Sequence, residues 1–240
     1  MKRAFLLCAL LAGAVPAASA QTVEERPAAP RAAATAAPVS RKVSGLTLVS
    51  ASEPRVRIRF GKGFRYVGGQ SFVLYDVANA EQHFFVDADA RGRVRRLYWV
   101  QFEGYLPTNA HTYDYKSKNV VHAGGLDFIA DAQARQVPPP DRDGLTARPA
   151  NKISDGEHAR SFLSSKGLRL ATNEVLWQRL VHMVDASKRS ELMIIYLEDL
   201  GGTGMTAADL SEGGRAAARW ESISKSLLVR ALKGMTITRR

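Results

Sequence analysis

The sequence predicts an α+β fold: a largely antiparallel sheet, able to curve strongly, packed against a long C-terminal helix and a shorter middle helix. Three observations carry this expectation. Residues 81–105, EQHFFVDADARGRVRRLYWVQFEGY, alternate with a period of two on both sides of a Gly-containing turn, the pattern of a long hairpin. Residues 175–200 repeat that pattern around a short polar turn. Two further stretches, near 154–167 and 214–233, place apolar residues at helical spacing between end signals.

Taken in order, the chain opens with a targeting signature over residues 1–20. Lys2 and Arg3 form a basic head, an apolar run follows, and Ala18-Ser19-Ala20 is a small-residue cleavage site. The apolar run is shorter than the ~20 residues a membrane-spanning helix needs. The expectation is therefore an exported protein, periplasmic or extracellular, with no transmembrane segment in the mature chain. Cys8, the one cysteine, lies inside the signal, so the mature chain has no disulfide and no cysteine metal ligand. Residues 21–44 are rich in Ala and Pro and read as a disordered or extended tether, leaving 45–240 as a single domain.

The chain carries 34 Lys+Arg against 23 Asp+Glu, a net charge of +11, and loss of Lys2 and Arg3 leaves +9. Such a balance favours anionic surroundings without choosing among them. The segment RVRIRF turns Val56, Ile58 and Phe60 inward and Arg55, Arg57 and Arg59 outward. Those three arginines are candidate anion contacts, although cations on a strand edge also serve simply to block aggregation.

The glycines of residues 61–69 lack phosphate-loop spacing and read as turns. Ser154 and Glu157 form a capping box at the start of the middle helix, which Gly167 ends. In the second hairpin both faces of the return strand are apolar, which predicts a central strand pair covered on both sides. The last helix sets Trp220, Ile223, Leu227, Leu228 and Ala231 on one stripe and is expected to close an apolar sheet face.

Reaction motifs are scarce. The five histidines have neither HxH nor HExxH spacing, so no metal site is expected, and no cofactor fingerprint appears. GxSxG is missing, and Ser222-Ile223-Ser224-Lys225 matches SxxK without its partner motifs. Nucleic acid is not an expected partner. What remains is one face of the first hairpin. If Val86 pairs with Val94, then Glu81, His83, Leu97, Trp99, Gln101 and Glu103 share a half-polar face suited to an apolar or amphipathic ligand. The leading expectation is a non-enzymatic binding module for such a ligand or for an anionic surface. The alternative is a metal-independent hydrolase or isomerase, with Glu103 raised in pKa by burial and His83 as its acid–base partner.

Overall fold

The computed structural model describes residues 37–138 and 149–240. The predicted signal, most of the predicted tether and most of the proline-rich loop lie outside the described residues. Strands β1 (Lys42–Ser44), β2 (Thr47–Val49) and β3 (Val56–Phe60) come first, then β4 (Arg65–Leu74), β5 (Ala78–Ala88) and β6 (Arg93–Tyr105). After them come β7 (Val120–Ala123), β8 (Leu126–Gln136), helix α1 (Asp155–Ser165), β9 (Arg169–Leu170), β10 (Glu174–Met183) and β11 (Ser190–Asp199). The short helix α2 (Ala207–Leu210), the long helix α3 (Trp220–Lys233) and β12 (Met235–Arg239) complete the chain. Strand outweighs helix, so the fold is mostly antiparallel β with a long C-terminal helix.

The strands divide between two sheets, where the sequence predicts one. A small sheet has the order β1-β2-β3-β12, and a large one runs β4-β5-β6-β11-β10-β8-β7, with β9 parallel to the start of β6. The predicted tether ends early. Lys42–Ser44 already pairs with β2, and the Ser40 hydroxyl and Arg41 amide both donate to Glu81, at 2.9 and 2.8 Å. The last helix also starts later than the expected residue 214, at Trp220, after a single 3-10 turn at Ala217–Arg219.

Two apolar cores lie on opposite faces of the large sheet. One joins Phe85, Tyr98, Val100, Phe102, Ile194 and Tyr196 to Ile58 and Phe60 of the small sheet and to Leu227 and Ala231 of α3. The Tyr98 hydroxyl donates to the Ala231 carbonyl at 2.6 Å, so its buried oxygen is satisfied where helix and sheet meet. The second core packs Phe84, Leu97, Trp99, Ile195 and Leu197 under Ala159 of α1. The central strands β6 and β11 are thereby covered on both faces, as the doubly apolar sequence of β11 requires.

The register of the first hairpin differs from the sequence expectation. Val86 pairs with Leu97, not Val94, and Ala88 pairs with Val94. Between them Arg95 is an extra residue, a β-bulge, which lets Val94 and Leu97 face the same core despite their odd separation. Asp87 fixes this bulge: Arg95 and Arg96 each reach one of its carboxylate oxygens at 2.6 Å. Burial alone would raise the Asp87 carboxyl, but the two guanidinium groups outweigh it and hold the group below its ordinary value. The tip closes through Asp89, whose carboxylate accepts from the Arg91 and Arg93 amides at 2.9 and 3.0 Å. Gly92 has φ +75°, and a Cβ there would strike the Gly167 carbonyl, so only glycine lets the hairpin tip meet the end of α1.

Candidate functional site

The bulge decides where the predicted site residues lie. Glu81 and His83 face the core shared with the small sheet, whereas Leu97, Trp99, Gln101 and Glu103 face α1. The structure therefore separates the expected Glu103–His83 pair across the sheet, because side chains alternate faces and Arg95 shifts the register by one.

On the first face His83 is fully buried and sits in a chain of hydrogen bonds. Its Nε2 is 2.8 Å from Glu81 Oε1 and its Nδ1 is 3.0 Å from the Tyr66 hydroxyl. Arg41 and Ser40 close the other end on Glu81. Burial tends to raise the Glu81 carboxyl, yet the bonds from His83, Arg41 and Ser40 hold it far below the usual carboxylate range. Gly68 and Gly69, expected as turn residues, instead pair with Phe84 and His83 inside β4, and Gly69 makes room for this chain: a Cβ there would come 2.8 Å from His83 Nδ1 and 3.1 Å from the Tyr66 hydroxyl oxygen. Every member is satisfied within the protein, and the chain fastens the N-terminal strap to the sheet.

On the second face a polar ladder crosses three strands. Gln70 donates to Gln82 at 2.7 Å, Gln82 donates to Gln101 at 2.8 Å, and Gln101 donates to Glu103. The Trp99 indole also donates to Gln101, at 3.1 Å. Glu191 on β11 stands directly opposite Glu103. Tyr113 donates to Glu103 at 2.8 Å and Tyr115 to Glu191 at 2.7 Å, so two tyrosines from the chain between β6 and β7 cover two carboxyl groups. Burial pushes the Glu103 carboxyl up to about 7, with Asp155 adding to it. Burial, and then the Glu103 charge, pushes Glu191 up to about 8. Glu191, Tyr113 and Tyr115 are absent from the sequence-derived site. The alternation of His111-Thr112-Tyr113-Asp114-Tyr115 places both tyrosines on one side, but the opposition of Glu103 and Glu191 depends on a pairing between strands far apart in the chain.

A cleft of about 540 Å³ opens between α1 and this face. Val94, Leu97, Trp177 and Leu197 supply apolar lining, Ala159 and Leu163 come from α1, and Arg135, Arg160 and Arg169 also line it. The Arg135 guanidinium lies 4.7 Å over the Trp177 ring, which itself meets Trp99 edge-on at 6.0 Å. Asp155 in the first turn of α1 lines the cleft. Burial raises its carboxyl against the hydrogen bond from the Gly156 amide and the charges of Arg179 and Arg135. Of the residues predicted from the sequence, Leu97 lines this cleft and Trp99 backs it.

Arg55, Arg57 and Arg59 are exposed on the outer face of the small sheet, far from this cleft in the fold's layering. His182 hydrogen-bonds the Asp127 carbonyl at 3.0 Å and is half-buried. Among the described residues no group of three or more His, Cys, Asp or Glu is placed to hold a metal ion, and no helix is long and apolar enough to cross a membrane. No family model, curated protein or solved structure matches this chain.

Proposed function

We propose that this chain is an exported, non-enzymatic binding module that takes an amphipathic organic anion in the cleft between α1 and the large sheet. The observation that carries the reading is that apolar side chains and guanidinium groups line the same cleft. Leu97, Leu197 and Trp177 offer area for an aliphatic or aryl body, and Arg135 and Arg169, which form no ion pair among the described residues, supply cationic groups in the lining for a carboxylate or sulfonate. The cleft volume is in the range of small-molecule sites. The N-terminal signature supports export. The hydrolase or isomerase alternative draws no comparable support, because its acid and its base point from opposite faces of one sheet.

The test is fluorescence titration with anilinonaphthalene sulfonate, an anion with an aromatic body, followed by displacement with laurate. Saturable one-to-one binding, displaced by laurate, is the expected result. The double variant Arg135→Glu/Arg169→Glu should weaken it about tenfold or more, since each charged contact contributes on the order of a kcal/mol or more. Leu197→Trp, which enlarges the apolar lining, should block it while the protein stays folded. Unsaturable binding, or equal affinity in all three proteins, would overturn the reading.

A further inference from the structure

The outer face of the small sheet carries a separate inference. In β3 the inward residues Val56, Ile58 and Phe60 are buried, so Arg55, Arg57 and Arg59 stand in a row on the other side. Side chains two apart on a strand are separated by roughly 6.6 Å, so the row spans roughly 13 Å. The neighbouring strands frame it with small side chains. Thr47 and Thr236 flank Arg59, and Val49 and Thr238 flank Arg57. The row runs into an open hollow of about 560 Å³ at the end of the strand, where Arg59 is joined by Lys62 and Lys233. Arg55 pairs with Glu53 at 3.5 Å, but Arg57, Arg59, Lys62 and Lys233 form no ion pair among the described residues.

We infer that this strip is a docking surface for a linear acidic polysaccharide lying along β3 with one end in the Lys62–Lys233 hollow. Charge complementarity calls for an anion, and the shape of the strip selects the class. Cations in a single file with hydroxyl groups on either side suit a ribbon that carries carboxylate or sulfate groups and sugar hydroxyls. Arginine forks bind those oxyanions in pairs of hydrogen bonds, and threonine hydroxyls serve as donor or acceptor to the sugar. The outward positions of the four strands hold no aromatic ring for a nucleic-acid base to stack on, and no large apolar side chain to enter a bilayer. The strip is distinct from the cleft under α1, so either proposal stands or falls without the other.

The experiment compares three probes on the intact protein: a heparin hexasaccharide, a single-stranded oligothymidylate of equal charge, and vesicles containing phosphatidylglycerol. The hexasaccharide is expected to bind best. Arg57→Ser/Arg59→Ser should weaken it about tenfold or more, as loss of charge-assisted contacts demands. Lys116→Ser/Lys118→Ser removes the same charge from the exposed chain before β7 and should change affinity less than about twofold, because net charge alone sets no site. Lys62→Ser/Lys233→Ser, outside the strand itself, supplies a second disruption if the first alters folding. Equal losses in the strip and control variants, or tighter binding of the oligonucleotide or the vesicles, would overturn the inference.

Discussion

Glu103 and Glu191 show how one cross-strand pair sets the pH response of the molecule. Two carboxyl groups opposite each other in a poorly solvated place cannot both ionise cheaply, so the folded state favours the protonated forms. They are faced by Tyr113, Tyr115, Gln101 and the acidic Asp155, with Arg179 stacked 4.9 Å from the Tyr115 ring. Their folded pKa values lie above the unfolded ones, so the stabilisation is complete below about pH 4.5 and is lost as pH rises through about 7 to 8. Thermal unfolding followed between about pH 5 and about pH 9 should therefore show a falling Tm. The Glu103→Gln/Glu191→Gln variant should lose most of that slope and exceed the parent in Tm at the alkaline end. A parent with a flat or rising profile would contradict this account. Glu103 itself was visible in the sequence, with the pressure of burial upon it. Its partner was not, because nothing local in Glu191-Leu192-Met193 says which strand lies beside it.

The elements themselves were largely legible. The capping box of α1 is formed as its residues imply: the Glu157 amide donates to the Ser154 hydroxyl, and the Ser154 amide donates to Glu157 at 2.9 Å. Ser154→Ala should cost about 1 kcal/mol in chemical denaturation. Because Ser154 and the first turn of α1 line the cleft, the same change should loosen anilinonaphthalene sulfonate binding by several-fold, and unchanged affinity would show that the helix start does not shape the site. The hairpin turn at Asp89 and Gly92 was equally readable. The bulge one turn further on was not. Arg95 and Arg96 are adjacent and alike, and only the shared grip on Asp87 reveals that one of them is the extra residue. That single residue removed His83 from the face of Glu103 and with it the acid–base pair.

At the scale of the molecule, stability depends on contacts that close the chain upon itself. Strand β12, five residues long, pairs with β3 and places Ile237 opposite Ile58 inside the core shared with α3. Ile237→Ala should cost roughly 2 to 4 kcal/mol, read as a lower denaturation midpoint with an unchanged slope. A loss under roughly 0.5 kcal/mol would mean that the small sheet does not depend on this closure. The sequence by itself determined the alternation of the strands, the ends of α1, the hairpin glycine Gly92 and the outward row of arginines, because each follows from backbone geometry and solvation within a few neighbouring residues. The tertiary structure alone decided the division into two sheets, the register across Arg95, the opposition of Glu103 and Glu191, and the cleft under α1. Those depend on which distant segments come together, and side-chain packing summed over the whole core makes that choice, which no local pattern encodes.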